Sequence, residues 1–263
     1  MKIRFLWIVV LFLSFAYLHT AKAQDALAVG ERVKGAIQIG TGSARKVILL
    51  PSGEWEVIRV ADSEVRMIDP LEQYRAPTLL DVMLVQRLDR DFAMLMRVLA
   101  SKELLRIQQW WDDPCKRKDR LYRNPYDSGI REGKCLLVNH ISSFMSQGAN
   151  SFSDVRKWAT REKMNTPNTV LQAVLTQFVP QQYLAVTVWV NPALRNLDSH
   201  ERAWAGSPFH RDYIENDAAR QQYAKEFIKW SEGYMTHLSV AFSGQANTAV
   251  SVVPAQREIV TFR

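Results

Sequence analysis

Phe5 to Leu18 form an uncharged, almost wholly apolar run behind a short basic start, Met1-Lys2-Ile3-Arg4. The run is shorter than the ~20 apolar residues that span a bilayer. Ala21-Lys22-Ala23 follows, with small residues at both positions that a signal peptidase reads. The pattern predicts a signal peptide over 1–23, cut between Ala23 and Gln24. That feature constrains everything after it. Residues 24–263 are expected to fold as a periplasmic or secreted protein, in a compartment where thiols can pair. No cysteine follows the apolar run, so no lipid anchor is expected. No later stretch is long and apolar enough to cross a membrane.

Cys115 and Cys135 are the only cysteines. In an oxidising compartment an even count reads as a disulfide, and two cysteines allow one pairing. The rival is a catalytic thiolate, because Asn139 and His140 follow Cys135 closely. If 134–141 is a strand, the odd spacing sends Cys135 and His140 to opposite faces, which argues against such a pair.

The formal charge is +7. Lys2, Arg4 and Lys22 lie in the signal, which leaves +4 for the mature chain. Residues 116–134 hold seven Lys/Arg against three Asp/Glu, so this one segment carries the whole excess. Asn124-Pro125 and Ser128-Gly129 are turn signals, and the segment is read as a surface loop tied at its base. A balance this mild gives no reason to expect nucleic acid. Lys116, Arg117, Lys118, Arg120 and Arg123 are candidate contacts to an anionic partner, a lipid head group or an acidic polymer. Solvated surface is the simpler reading of the same charges.

Short β-rich runs bounded by turn signals fill the first half: Val33–Ile39, Arg45–Leu50 and Glu54–Val60 read as a β-meander. An N-terminal β subdomain over 30–70 inside a single 24–263 domain is one division of the chain. Leu80–Leu88 and Phe92–Leu99 flank Asp89-Arg90-Asp91 and read as a hairpin, with one helix as the alternative. Cys135–Ile141 reads as a strand. Ser151–Met164 reads as a short helix with Ser153 as its cap. Val170–Val179 is ambiguous. Leu184–Val190 is the clearest strand and Asp217–His237 the clearest helix, with Tyr223, Phe227, Ile228, Trp230, Tyr234 and Leu238 at helical spacing. Leu238–Phe242 is assigned a last strand, and 244–263 a tail of low order. The sum is an α+β fold, mainly antiparallel β-sheet, with an N-terminal β-meander and two helices packed on the sheet.

Candidate chemistry is sparse. Gly40-Thr41-Gly42-Ser43 precedes Lys46 but lacks phosphate-loop spacing, and it reads as a turn. His140, His200, His210 and His237 have no i+2, i+3 or i+4 partners, so no local metal motif exists and no metal or cofactor is expected. Trp204, Ser207, Phe209, His210 and Asp212 gather between the clearest strand and the clearest helix, and either line a pocket or fold onto the core. Leu50-Pro51-x-Gly53-x-Trp55, Cys135-x-x-x-Asn139-His140, Asn191-Pro192 and Trp204-x-x-Ser207-x-Phe209-His210 together resemble uncharacterised secreted proteins of Gram-negative bacteria. The resemblance implies export and a similar fold, and it brings no activity. The functional expectation is a non-enzymatic binding or envelope-interaction module. The alternative is a small envelope hydrolase with its site near His210 or His140.

Overall fold

The computed structural model describes residues 27–64, 78–105, 113–146 and 152–243. The signal segment, the rest of the 30–70 unit and the tail after Gly244 lie outside them. Ten strands run β1 (Arg32–Val33), β2 (Ala36–Ile39), β3 (Lys46–Leu49), β4 (Trp55–Glu64), β5 (Thr78–Leu88), β6 (Asp91–Ser101), β7 (Tyr122–Asp127), β8 (Gly133–Ile141), β9 (Val170–Val179) and β10 (Gln182–Val190). Helix α1 (Ser153–Glu162) falls between β8 and β9, and α2 (Ala218–Phe242) follows β10. Eight strands form one antiparallel sheet in the order β1-β4-β5-β6-β10-β9-β8-β7, and β2 and β3 form a separate hairpin. The fold is α+β with a mainly antiparallel sheet, as the patterning predicts.

The period of two along the strands builds two cores, one on each face. Leu80, Val82 and Leu84 of β5, Met94, Met96 and Val98 of β6, and Val186 and Val188 of β10 all pack on one face, under α2 and the β2–β3 hairpin. Trp55 and Val57 of β4 sit in that same core, so the described part of the N-terminal β unit shares its packing with the rest of the chain. Met83, Val85 and Leu95, at the alternate positions, meet Val155, Trp158 and Ala159 of α1 on the other face. Charge helps to fasten α1 there. Arg59 bridges buried Asp81 at 3.1 Å and Asp154 of α1 at 2.7 Å, and Arg97 pairs with Asp81 at 2.7 Å.

The Leu80–Leu99 region is the hairpin, β5 with β6, and Asp89 takes a left-handed φ of 53° in the two-residue connection. The ambiguous Val170–Val179 is strand β9. Three expectations are corrected. The strand assigned to Leu238–Phe242 is the end of α2, because Leu238, Ala241 and Phe242 continue the buried helical stripe of Tyr234 and Met235. Ser153 is the first residue of α1; Phe152 holds the cap position, with no side-chain cap bond. The loop between the cysteines contains strand β7, which pairs along β8 from Tyr122–Val138 to Asp127–Lys134. Pro125 sits in it because β7 is the outermost strand, where a missing N–H costs no ladder bond.

The glycine-rich turn before Lys46 joins β2 to β3 through a 3-10 turn at Gly42–Ala44. Gly40 is obligatory there: its φ is +80°, and an added Cβ would stand 2.7 Å from the Ala44 carbonyl oxygen. Lys46 is fully buried. Its ammonium donates to Ala44 O at 2.9 Å and Ser101 Oγ at 3.2 Å, and burial pulls its pKa down to about 8.

Candidate functional site

Two groups of residues separated widely in sequence meet beside strand β8. The first is the set between β10 and α2. Asn191 ends β10, its side chain accepting from Ala193 N at 2.8 Å. The chain then crosses to β8 and returns to Asp217, whose carboxylate caps α2 by accepting from Arg220 N at 3.0 Å. His140 shares its strand phase with Leu136 and Val138, so it points to the α2 side of the sheet, opposite to Cys135. An imidazole on that phase must find an internal partner.

Trp204 supplies it. The His140 and Trp204 rings stack at 5.3 Å with 5° between planes. His140 Nε2 lies 3.0 Å from Trp204 O, and Trp204 Nε1 donates back to His140 O at 3.3 Å. A carbonyl can only accept, so Nε2 carries the proton. His140 Nδ1 is then a buried acceptor with no hydrogen-bond partner among the described residues. The residue is 1% exposed. Burial, the dominant cause, and the nearby His210 push its pKa down to about 4, and so the ring is neutral near pH 7.

His210 closes the group, edge-on to Trp204 at 4.4 Å and to His140 at 5.9 Å. Its Nδ1 accepts from Asp212 N at 3.3 Å and stands 3.4 Å from an Asp212 carboxylate oxygen. Of the other members of the predicted cluster, Asp212 meets His210, while Ser207 and Phe209 make their contacts elsewhere. Ser207 is buried, and its hydroxyl accepts from Phe209 N at 3.3 Å. Phe209 is buried under the Arg220 guanidinium, 5.5 Å from the ring centre. The Asp212 side chain is 64% exposed. Among the described residues neither imidazole hydrogen-bonds a hydroxyl or a thiol. The group is thus an aromatic clamp that fixes the crossing loop to β8. No set of three or more His, Cys, Asp or Glu side chains among the described residues could hold a metal ion.

The second group is the basic segment. Cys115 and Cys135 form the disulfide, with Cα atoms 5.6 Å apart and both residues fully buried. Asp113 caps the turn at Pro114–Lys116, accepting from Cys115 N at 2.8 Å. Directly after this anchor Lys116, Arg117 and Lys118 are exposed in a row. Arg120 is different: its side chain is 15% exposed and lies 3.4 Å from Asp119. Arg123 is half-buried and donates from Nε to the Cys115 carbonyl at 2.9 Å. Of the five candidate cations, three therefore face solvent freely, and two help hold the segment in place.

Comparison with known protein families, curated proteins and solved structures finds no match for this chain. The chemistry of the site rests on its own geometry. That geometry adds a residue the sequence reading missed. Arg211 donates from Nη1 to the Lys118 carbonyl at 3.3 Å, so the two candidate groups share one surface. Nothing local in the sequence signals this contact, which joins residues 93 positions apart. Tyr122 makes a further tie. Its hydroxyl donates to Glu232 of α2, and burial together with that carboxylate raises its pKa to about 12.

Proposed function

We propose that this chain is an exported, non-enzymatic binding module that meets an anionic component of the cell envelope through the segment held by Cys115–Cys135. One observation carries the reading: Lys116, Arg117 and Lys118 stand exposed immediately after a buried covalent anchor, and Arg211 joins them from another loop. A held segment loses less entropy on binding than a free one, so its charges act together. Asp119 and Asp212 offset part of this charge locally, through Arg117 at 3.8 Å and Arg211 at 3.5 Å. The remainder is positive and solvent-facing. The disulfide is consistent with export, and among the described residues no helix is long and apolar enough to cross a membrane.

The hydrolase alternative would draw on the clamp at His140 and His210. Those rings pack on Trp204 and on each other, and His210 also meets the backbone and carboxylate of Asp212, which supports a structural role for them.

The test is retention on anionic vesicles at low salt. Replacing Lys116, Arg117, Lys118 and Arg211 together by Gln is expected to weaken retention more than tenfold, each cation near an anionic surface being worth about 1 kcal/mol. Raising salt should do the same to the parent, because exposed charges are screened beyond ~8–10 Å. Equal retention of the parent and the variant at low salt would remove the proposal.

A further inference from the structure

We infer that the anionic partner is the surface of a lipid bilayer, met along the β7 edge of the sheet with Ile130, Tyr126 and Tyr213 seated among the head groups. This rests on the reading above and goes on to name its partner.

Seven large apolar or aromatic side chains are exposed among the described residues; two lie in the basic segment and a third lies two residues after Arg211, which contacts that segment. Tyr126 is 44% exposed and Ile130 41%, both inside the basic segment. Tyr213, 49% exposed, follows two residues after Arg211. Single exposed apolar groups are ordinary on a protein surface. Three of them placed beside the segment that carries the mature charge excess are a pattern that folding does not require. An acidic polymer would be gripped by charge alone. A bilayer offers anionic head groups and, a few ångströms deeper, an apolar zone where tyrosine rings and long cationic side chains are at home.

The surface also has the stiffness that insertion needs. Ile130 lies in the connection from β7 to β8. Ser128 of that connection donates from Oγ to Asp113 Oδ2 at 2.6 Å, and Asp113 holds the turn that carries Cys115. The tip is thus pinned to the disulfide anchor. Lys134 places its ammonium 5.0 Å from the centre of the Tyr126 ring. The pair presents an apolar body and a cation together, which is the arrangement an anionic interface rewards. Tyr213 is held at the other end of the edge, where its neighbour Arg211 grips Lys118 and the His210 ring lies 5.9 Å away.

The experiment compares two probes: vesicles of phosphatidylglycerol and phosphatidylethanolamine, and soluble polyphosphate. Three proteins are measured, the parent, an Ile130→Ser/Tyr213→Ser variant that keeps every charge, and a Lys116→Gln/Arg117→Gln/Lys118→Gln variant. Equal melting temperatures establish that all three are folded. Burying the exposed parts of Ile130 and Tyr213 is worth about tenfold or more in affinity. The first variant should therefore lose about that much on vesicles and nothing on polyphosphate. The second should lose on both. Unchanged vesicle binding by the first variant overturns the bilayer inference. If the second variant is still weakened, the anionic-partner reading survives with a polymer as its ligand. If it too is unchanged, both readings fall.

Discussion

The clamp around His140 and the segment between the cysteines flank the same strand, and they use similar residues for opposite ends. Both are loops of mixed aromatic and polar composition tied to β8. In the clamp the polar atoms turn inward: His140 and Trp204 exchange hydrogen bonds with each other's main chain, and both histidines are buried. In the segment a covalent bond does the tying, and the side chains from Lys116 to Lys118 are left to solvent. A loop fastened by its own aromatic and polar groups has spent them. A loop fastened by a disulfide keeps its side chains for a partner. On the binding proposal made above, the segment meets the partner and the clamp holds the fold.

The largest way to break this comparison is to cut the covalent tie. Cys115→Ala with Cys135→Ala opens a loop of separation 20, and the loop-entropy model gives a loss of about 3 kcal/mol. Urea unfolding should show an unfolding free energy lowered by that amount, with protease cuts first between 116 and 121. The clamp should hold, because His140 and Trp204 bond each other independently of the bridge. Unaltered stability would mean that the Arg123 and Asp113 hydrogen bonds anchor the segment, with the disulfide adding nothing.

The strand period made most of the sheet legible in the sequence. Leu184–Val190 is an unbroken β-branched and apolar run ended by Asn191-Pro192, and the β5–β6 hairpin follows from two apolar runs around Asp89-Arg90. The disulfide followed from an even cysteine count and an expected compartment. What stayed hidden has a common cause, in that it depends on contacts between distant segments. Strand β7 contains Pro125 and turn-forming residues, so local propensity reads it as loop; pairing with β8 overrides that preference. The helical end of α2 was misread because Leu238–Phe242 is short, apolar and ambiguous by itself, and it becomes helical as the continuation of a long buried stripe. His140 and His210 were each visible as isolated histidines. Their convergence needed the crossing of the 191–217 loop, and spacing alone does not encode that crossing.

A second test sharpens the contrast from the clamp's side through pH. The His140 pKa is about 4 in the folded chain, below the ordinary 6.5 of an exposed ring. The unfolded state therefore binds the proton more readily. The stability that goes with the neutral ring is fully present above about pH 6.5 and is lost as pH falls toward 4, by up to about 3 kcal/mol. His210 and Asp212 face the same group, so the informative quantity is the difference from a His140→Phe variant. That variant keeps a ring against Trp204 and loses the titration. Its melting temperature should fall less between pH 7 and pH 4.5 than the parent's, and tryptophan fluorescence should report the parent's clamp loosening first. Parallel curves for the two proteins would show that His140 does not carry the acid response.

The smallest expected effect separates the five basic residues among themselves. Lys116, Arg117 and Lys118 are exposed and have at most one weak partner, Asp119 at 3.8 Å from Arg117. Exposed charges of this kind contribute 0–1 kcal/mol to folding. Replacing all three by Gln should move the melting temperature by no more than about 4 °C in a domain of this size. Arg120 and Arg123 should behave otherwise. Burial lowers the pKa of Arg120, a sign that its guanidinium is partly withdrawn from water, and Arg123 satisfies the buried carbonyl of Cys115. Arg123→Gln leaves that carbonyl without its donor, which costs about 1–3 kcal/mol. The order of stabilities should be parent and triple variant together, then Arg123→Gln. The order of vesicle affinities should differ, with the parent and Arg123→Gln both ahead of the triple variant. A triple variant as unstable as Arg123→Gln would place Lys116, Arg117 and Lys118 in the architecture, and the division between a spent loop and a free one would fail.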